Sequence, residues 1–301
     1  MKGANELMKH QFKKSKADII FDVLSFTIIT LLIVACFYPI WYVFCASISD
    51  PAIVAKCQGI LLWPKNISMV AYKRVFANQD IWRSLLNTIF YTTVGTSLNI
   101  ILTAMLAYAL SRKNVMFKKP ITMFVSFTMF FNGGMIPTYL VVRDLGLLDH
   151  RFAVLLPGMV SVFNFIIMRT NFEAIPTALE ESGKLDGANH WNIFTRIYLP
   201  TSKTTLAVMT LFYGVSHWNG WMNAMLYLPN RPDLHPLALI TREIVVSSAS
   251  AAMSEGAALT QEMADAIKYS TIIVSILPIL LLYPILQRYF TKGMMVGSVK
   301  G

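Results

Sequence analysis

Charge is scarce in this chain. Only 14% of its 301 residues are Asp, Glu, Lys or Arg, whereas 55% are hydrophobic and the mean hydropathy is +0.54. Soluble domains carry about 25% charged residues, so an ordinary soluble fold is excluded and an integral membrane protein is indicated. The formal charge of +10 does not point to nucleic acid, because the basic residues sit at the ends of apolar spans and form no continuous basic face. Cysteine is nearly absent. Cys36, Cys45 and Cys57 show neither CxxC spacing nor a nearby histidine pair, which removes zinc and redox motifs and leaves packing roles. No GxxxxGKS or GxxxxGKT occurs, so the chain has no P-loop for ATP. His10, His150, His190, His217 and His235 are scattered, and no Ser-His-Asp set or carboxylate pair assembles into a catalytic site.

What the chain has in quantity is apolar length. Six runs, at about 19–46, 85–110, 121–142, 152–170, 205–228 and 269–290, are near or above the roughly 20 residues that cross a bilayer. The first follows a lysine-rich segment, Met1 to Lys16. A cleaved signal or a lipoprotein site at Cys36 is rejected, because the apolar run continues through Phe37-Tyr38-Pro39-Ile40-Trp41. With the N-terminus inside, the inner segments carry most of the 26 Lys and Arg, as the positive-inside rule requires. The expected fold is therefore all-α, a polytopic membrane protein of six transmembrane helices with both termini cytoplasmic. Residues 1–18 form a cytoplasmic segment and 19–301 the transmembrane domain. Within it, a cytoplasmic stretch at 173–203 joins helices 4 and 5, and an outer loop occupies 229–268. Leu259 to Ile267 has the spacing of a short helix over the outer mouth. Breakers at Pro39, Asn132-Gly133-Gly134, Pro137, Pro157, Pro278 and Pro284 either kink helices for packing or line a pathway.

The cytoplasmic stretch is longer than a connecting turn needs to be. Thr177 stands three residues before Glu180, a helix-start pattern. Asp186-Gly187 interrupts, Asn189 can cap a second turn, and Trp191, Phe194 and Tyr198 recur at near-helical spacing until Pro200. Two short helices at a bend are expected. An amphipathic hairpin lying on lipid headgroups would show a basic face. Here Glu173, Glu180, Glu181 and Asp186 make the first half acidic, which favours a basic protein surface as partner.

Glu181-Ser182-Gly183, then Gly187, then Ile197-Tyr198-Leu199-Pro200 resembles the EAA loop of ABC importer permeases, with Ser182 and Gly183 in place of the two alanines. The resemblance covers nearly the whole chain from the first span onward. It is nearest to the carbohydrate-uptake branch, the maltose-permease-like subunits and the polysaccharide and oligosaccharide permeases of Gram-positive bacteria. Phe131 to Val141 (FNGGMIPTYLV), Ser216-His217-Trp218-Asn219 and Lys292 to Gly301 look like that subgroup. The resemblance implies a non-catalytic permease in a bacterial cell membrane, importing an oligosaccharide. It implies as partners a second permease forming a heterodimer, two cytoplasmic ATPase subunits that bind ATP and Mg, and an extracellular solute-binding protein. It further implies a coupling helix docking on the ATPase through Glu181, Ser182, Gly183, Asp186, Gly187, Trp191, Phe194, Leu199 and Pro200, and a C-terminus reaching toward the ATPase.

His217, Trp218 and Asn219, on the outer half of the fifth run, are substrate-path candidates, since rings stack on sugar faces and amides bond hydroxyls. Asn132 and Asn164 are further candidates. Helix packing competes for all of them, and an interfacial aromatic belt accounts for Trp221 and Tyr227. A secondary transporter remains as an alternative, although the span centres lack ion-coupling charges. An importer of a non-sugar solute is the other alternative.

Overall fold

A computed structural model of the chain describes residues 15–57, 59–251 and 262–281. Regular structure among them is helical, apart from an isolated antiparallel bridge between Ser49 and Ile67. The first helices are α1 (Lys16–Ser47), α2 (Pro51–Lys56), α3 (Val70–Ala77), α4 (Gln79–Ser111), α5 (Lys118–Phe130), α6 (Met135–Asp144), α7 (Arg151–Leu155) and α8 (Val162–Glu173). Then come α9 (Thr177–Leu185), α10 (His190–Ile193), a π-helical turn at Phe194–Tyr198, α11 (Leu199–Thr201) and α12 (Lys203–Trp218). The last are α13 (Met222–Tyr227), α14 (Leu237–Ala251) and α15 (Glu262–Leu281).

Among the described residues, α1, α4 and α15 are the helices each long and apolar enough to cross a membrane, and α5 with α6 pass together as a pair bent by 114°. Six uninterrupted spans are thus not seen. The run 121–142 breaks where Gly134 takes φ +86 and the Asn132 side chain accepts the Gly134 amide at 2.6 Å. The run 152–170 splits into α7 and α8 around Pro157-Gly158, with Gly158 at φ +78. In 205–228, α12 stops at Trp218 and α13 begins at Met222. Residues beyond 281 and Leu259 to Gln261 lie outside the described residues, as does Lys292 to Gly301. Glu262 to Ile267 are the first turns of α15, not a separate helix over the mouth. Residues 229–268 are not an open loop either, since α14 occupies much of them. The three cysteines are free.

The bundle is organised on α4, which packs against α8 and α12. Its buried Ser84, Thr88, Tyr91, Gly95, Asn99 and Thr103 recur at three- and four-residue spacing, so they share one face. That face is polar inside an otherwise apolar helix, and Thr88, Tyr91, Asn99 and Thr103 on it are paired. Thr88 Oγ1 accepts the Leu237 amide at 2.8 Å, the Tyr91 hydroxyl donates to the Leu234 carbonyl at 2.9 Å, and Thr103 meets the Tyr213 hydroxyl at 2.7 Å. Where water is absent, such pairs join helices that apolar contact alone would leave free to slide. Nearer the C-terminal end of α4, Ala104 and Ala107 let α8 and α12 approach. A core of Phe165, Met168, Phe172, Ile193, Phe194, Tyr198 and Met209 closes there. By contrast α1 is exposed along its length, burying only Cys45, Ala46 and Ser47.

Candidate functional site

The stretch from Glu181 to Pro200 folds back on itself beside the end of α4. α9 starts at Thr177, but its preceding residue is Pro176 and no side chain caps it. It ends in a Schellman turn. The Ala188 amide donates to the Gly183 carbonyl at 2.9 Å and the Gly187 amide to that of Lys184 at 3.0 Å, with Gly187 at φ +77. Asn189 Oδ1 then caps α10 by accepting the Asn192 amide at 2.8 Å. The backbone widens into the π turn just before Pro200, which lacks the amide that a regular turn would donate back to Arg196.

Not all of the acidic half faces outward. Glu180 is paired bidentately with Arg112, the residue ending α4. It also accepts from Lys184 Nζ at 2.7 Å and the Tyr198 hydroxyl at 3.1 Å. Burial alone would raise the Glu180 carboxyl, but the Lys184 hydrogen bond, the Arg112 charge and the Tyr198 hydroxyl hold it below the ordinary glutamate value. Burial likewise opposes Lys118 and Arg169 at Glu173, and the two cations, each at 2.9 Å, win and lower its carboxyl. The same cations cap α4, with Arg169 Nε on the Leu110 carbonyl and Lys118 Nζ on that of Ser111, both at 3.2 Å. Only Glu181 and Asp186 stay exposed and without an ion pair among the described residues. Of the four carboxylates expected to make this half acidic toward a partner, Glu173 and Glu180 are instead taken up by pairs within the chain.

The nine coupling candidates divide by direction. Glu181, Ser182, Asp186, Gly187, Trp191 and Pro200 are exposed, whereas Phe194 is buried and Gly183 and Leu199 are half-buried. A Cβ on Gly183 would come within 3.0 Å of Ile197 Cδ1, so its small size serves packing within this chain. Sequence reasoning missed Leu185, which is 90% exposed at the tip of α9. Its signal is an apolar residue immediately before a turn, where nothing lies beneath it.

A cavity of about 580 Å³ opens beside the polar face of α4, lined in part by Asn99, Asn164, Tyr213, His217 and Asn219. His217 Nε2 donates to Asn99 Oδ1 at 2.6 Å. The ring lies so close over Gly95 that a Cβ there would meet Nε2 at 2.6 Å. Asn164 is 4% exposed, yet its Oδ1 has no partner among the described residues. Trp218 turns away, donating its Nε1 to the Ser275 carbonyl of α15 at 3.1 Å, and Asn132 sits in the exposed bend between α5 and α6. Three of the five path candidates therefore meet at one cavity. Asn99 was missed, although an amide inside an apolar run is a readable sign of a polar interior. No Lys or Arg lines the cavity among the described residues, which suits hydroxyl-bearing ligands held by amides and rings.

No protein-family profile matches the chain. The polygalacturonan/rhamnogalacturonan transport system permease protein YtcP of Bacillus subtilis (strain 168) is 40% identical to it, over 94% of this chain and 99% of that protein. Protein LplC of the same organism is 37% identical over 97% and 99%. The lactose transport system permease protein LacG of Rhizobium radiobacter is 28% identical over 75% and 78%. Among solved structures, that of a bacterial ABC transporter importing the acidic polysaccharide alginate aligns with a TM-score of 0.82 and 34% identity, over 92% of this chain and 98% of the matched chain.

Proposed function

The chain belongs to the carbohydrate ABC transport permeases, and from that premise we propose that it is one of two permease subunits forming the pathway of an oligosaccharide importer. The observation that carries this is the division of the polar residues. One set is turned inward around a cavity, and the other stands outward on the rigid α9–α10 turn. In this reading six segments of the chain cross the bacterial cell membrane, both termini are cytoplasmic, and the exposed face of α1 meets lipid and the second permease. Two partner ATPases bind ATP and Mg, and an extracellular binding protein delivers the sugar.

The α9–α10 turn is the docking element. Glu181 and Asp186 provide unpaired charge for a basic cleft, and Leu185 and Trp191 provide apolar area. For the substrate we favour fragments of uronic-acid polymers, because one relative is a polygalacturonan/rhamnogalacturonan transport system permease and the solved structure is of an importer of the acidic polysaccharide alginate. The cavity of this chain offers neutral groups, so it would engage sugar hydroxyls and leave carboxylates to other parts of the complex. Expression with a candidate permease, ATPase and binding protein tests the reading. The expected result is co-purification and ATP-dependent uptake of oligogalacturonides into proteoliposomes. Proton-driven uptake by this chain alone would overturn it.

A further inference from the structure

α9 has no buried residue of its own, so its orientation depends on what grips it. Gly183 lies against Ile193 and Ile197, the Schellman turn ties α9 to α10, and Glu180 clasps Arg112. Of these, the clasp is the contact made directly with α4. The guanidinium is itself fixed, 5.1 Å from the Tyr108 ring centroid and 5.8 Å from that of Tyr198. Those two rings meet edge-on at 4.9 Å, and Phe172 and Phe194 pack behind them. Side-chain exposure is only 12% for Arg112 and 15% for Glu180, so neither salt nor rotamer freedom loosens the pair as it does at a surface. Two parallel N–H···O bonds leave the planar fork one orientation. From Arg112, α4 runs unbroken to Asn99, about 20 Å along the axis, where Asn99 holds His217 beside the cavity.

We propose that Arg112 and Glu180 are positioning residues for ATP-driven import, a clasp that joins α9 rigidly to the helix lining the cavity, so that displacement of α9 moves Asn99 and His217. The role deepens the importer reading above and rests on it. Neither residue is required to touch sugar or nucleotide. The Glu173, Lys118 and Arg169 group secures α8 to the same end of α4 and does not reach α9, so it provides a control region.

The test uses the whole complex, with Cys36, Cys45 and Cys57 replaced by alanine and a reporter introduced by Ser216→Cys, a position lining the cavity. Maleimide labelling is measured with and without ATP plus vanadate and divided by the amount of nucleotide trapped. In Arg112→Gln and in Glu180→Gln, the nucleotide-dependent change is expected to fall about fivefold or more, the scale of ordinary coupling between sites. The double variant should be no worse than either single one. If the glutamine variants do not co-purify, Arg112→Lys and Tyr198→Phe decide, with intermediate losses expected. An undiminished change, or losses that add in the double variant, overturns the proposal alone. Labelling indifferent to nucleotide in the parent, with no ATPase co-purifying, overturns the importer reading and the clasp with it.

Discussion

Where α4 ends, Arg112 holds its neighbours through full charges; where the same helix passes the cavity, Asn99 holds His217 through neutral groups. The contrast follows from the surroundings. At the end of the apolar run, charges need not be carried through hydrocarbon. Arg112 and Glu180 are shielded enough from water for their pair to be strong and directional, fit for fastening one element to another. At depth a charge costs about 2.5–3.5 kcal/mol or more, and amides and hydroxyls do the joining at lower cost. The charged end suits transmission, because it fixes geometry. The neutral end suits recognition, because its groups can exchange one partner for a sugar hydroxyl.

The largest effect that would break this contrast is expected from Glu181→Lys. It replaces an unpaired carboxylate on the α9–α10 turn with a cation, so under the importer reading ATP-driven uptake should fall by about tenfold or more, as when an interfacial charge is reversed. Membrane insertion should be unaffected. Normal uptake in vesicles would remove Glu181 from the docking role. Next comes Gly95→Ala at the neutral end, where the new methyl must displace His217 from Asn99. Overpacking of this kind costs about 1–3 kcal/mol, seen as a lower unfolding temperature in detergent. His217→Ala in the same chain should restore it, and failure of that rescue would refute the steric account.

At the charged end, Gly187→Ala forces an L-residue to φ +77. The expected cost is about 1–2 kcal/mol, measured by thermal unfolding, with a looser α9 seen as faster amide exchange over 183–188. The smallest effect concerns pH. Glu173 and Glu180 have carboxyls lowered in the folded chain. Their contribution is therefore complete above the unfolded glutamate value of about 4.3 and is lost as pH falls through the folded value. Unfolding temperature should stay flat from neutral pH down to about 5 and then decline, with the Glu180→Gln chain declining less. A decline already visible near neutral pH would mean that other groups control this end.

The legible parts of the fold were those with local signals. α1 and α4 were readable because their apolar runs are continuous, and the α9–α10 bend because Asp186-Gly187 and Asn189 are turn and cap residues wherever they occur. The breaks in 121–142, 152–170 and 205–228 were underestimated because hydropathy averages across Gly134, Gly158 and Gly220. The Arg112–Glu180 pair was invisible, since the two are separated by 68 positions and Glu180 looked complete alone as part of an acidic patch. Trp218 and His217 are adjacent in sequence, yet one bonds α15 and the other α4, a distinction that residue type cannot make. Asn164 was named from its chemistry, and its unpaired oxygen became visible only once its neighbours were in place.

The π turn at Phe194–Tyr198 sets a rule about length. A π turn closes with one residue more than an α turn, so loss of one position from those five residues would restore regular bonding and leave the phase of α12 unchanged. Within α12 there is no such surplus. At about 100° per residue, loss of a position ahead of Tyr213 would carry His217 out of the cavity and swing Trp218 toward it. A change in length by one residue can therefore be absorbed at this turn but not in the helix that follows.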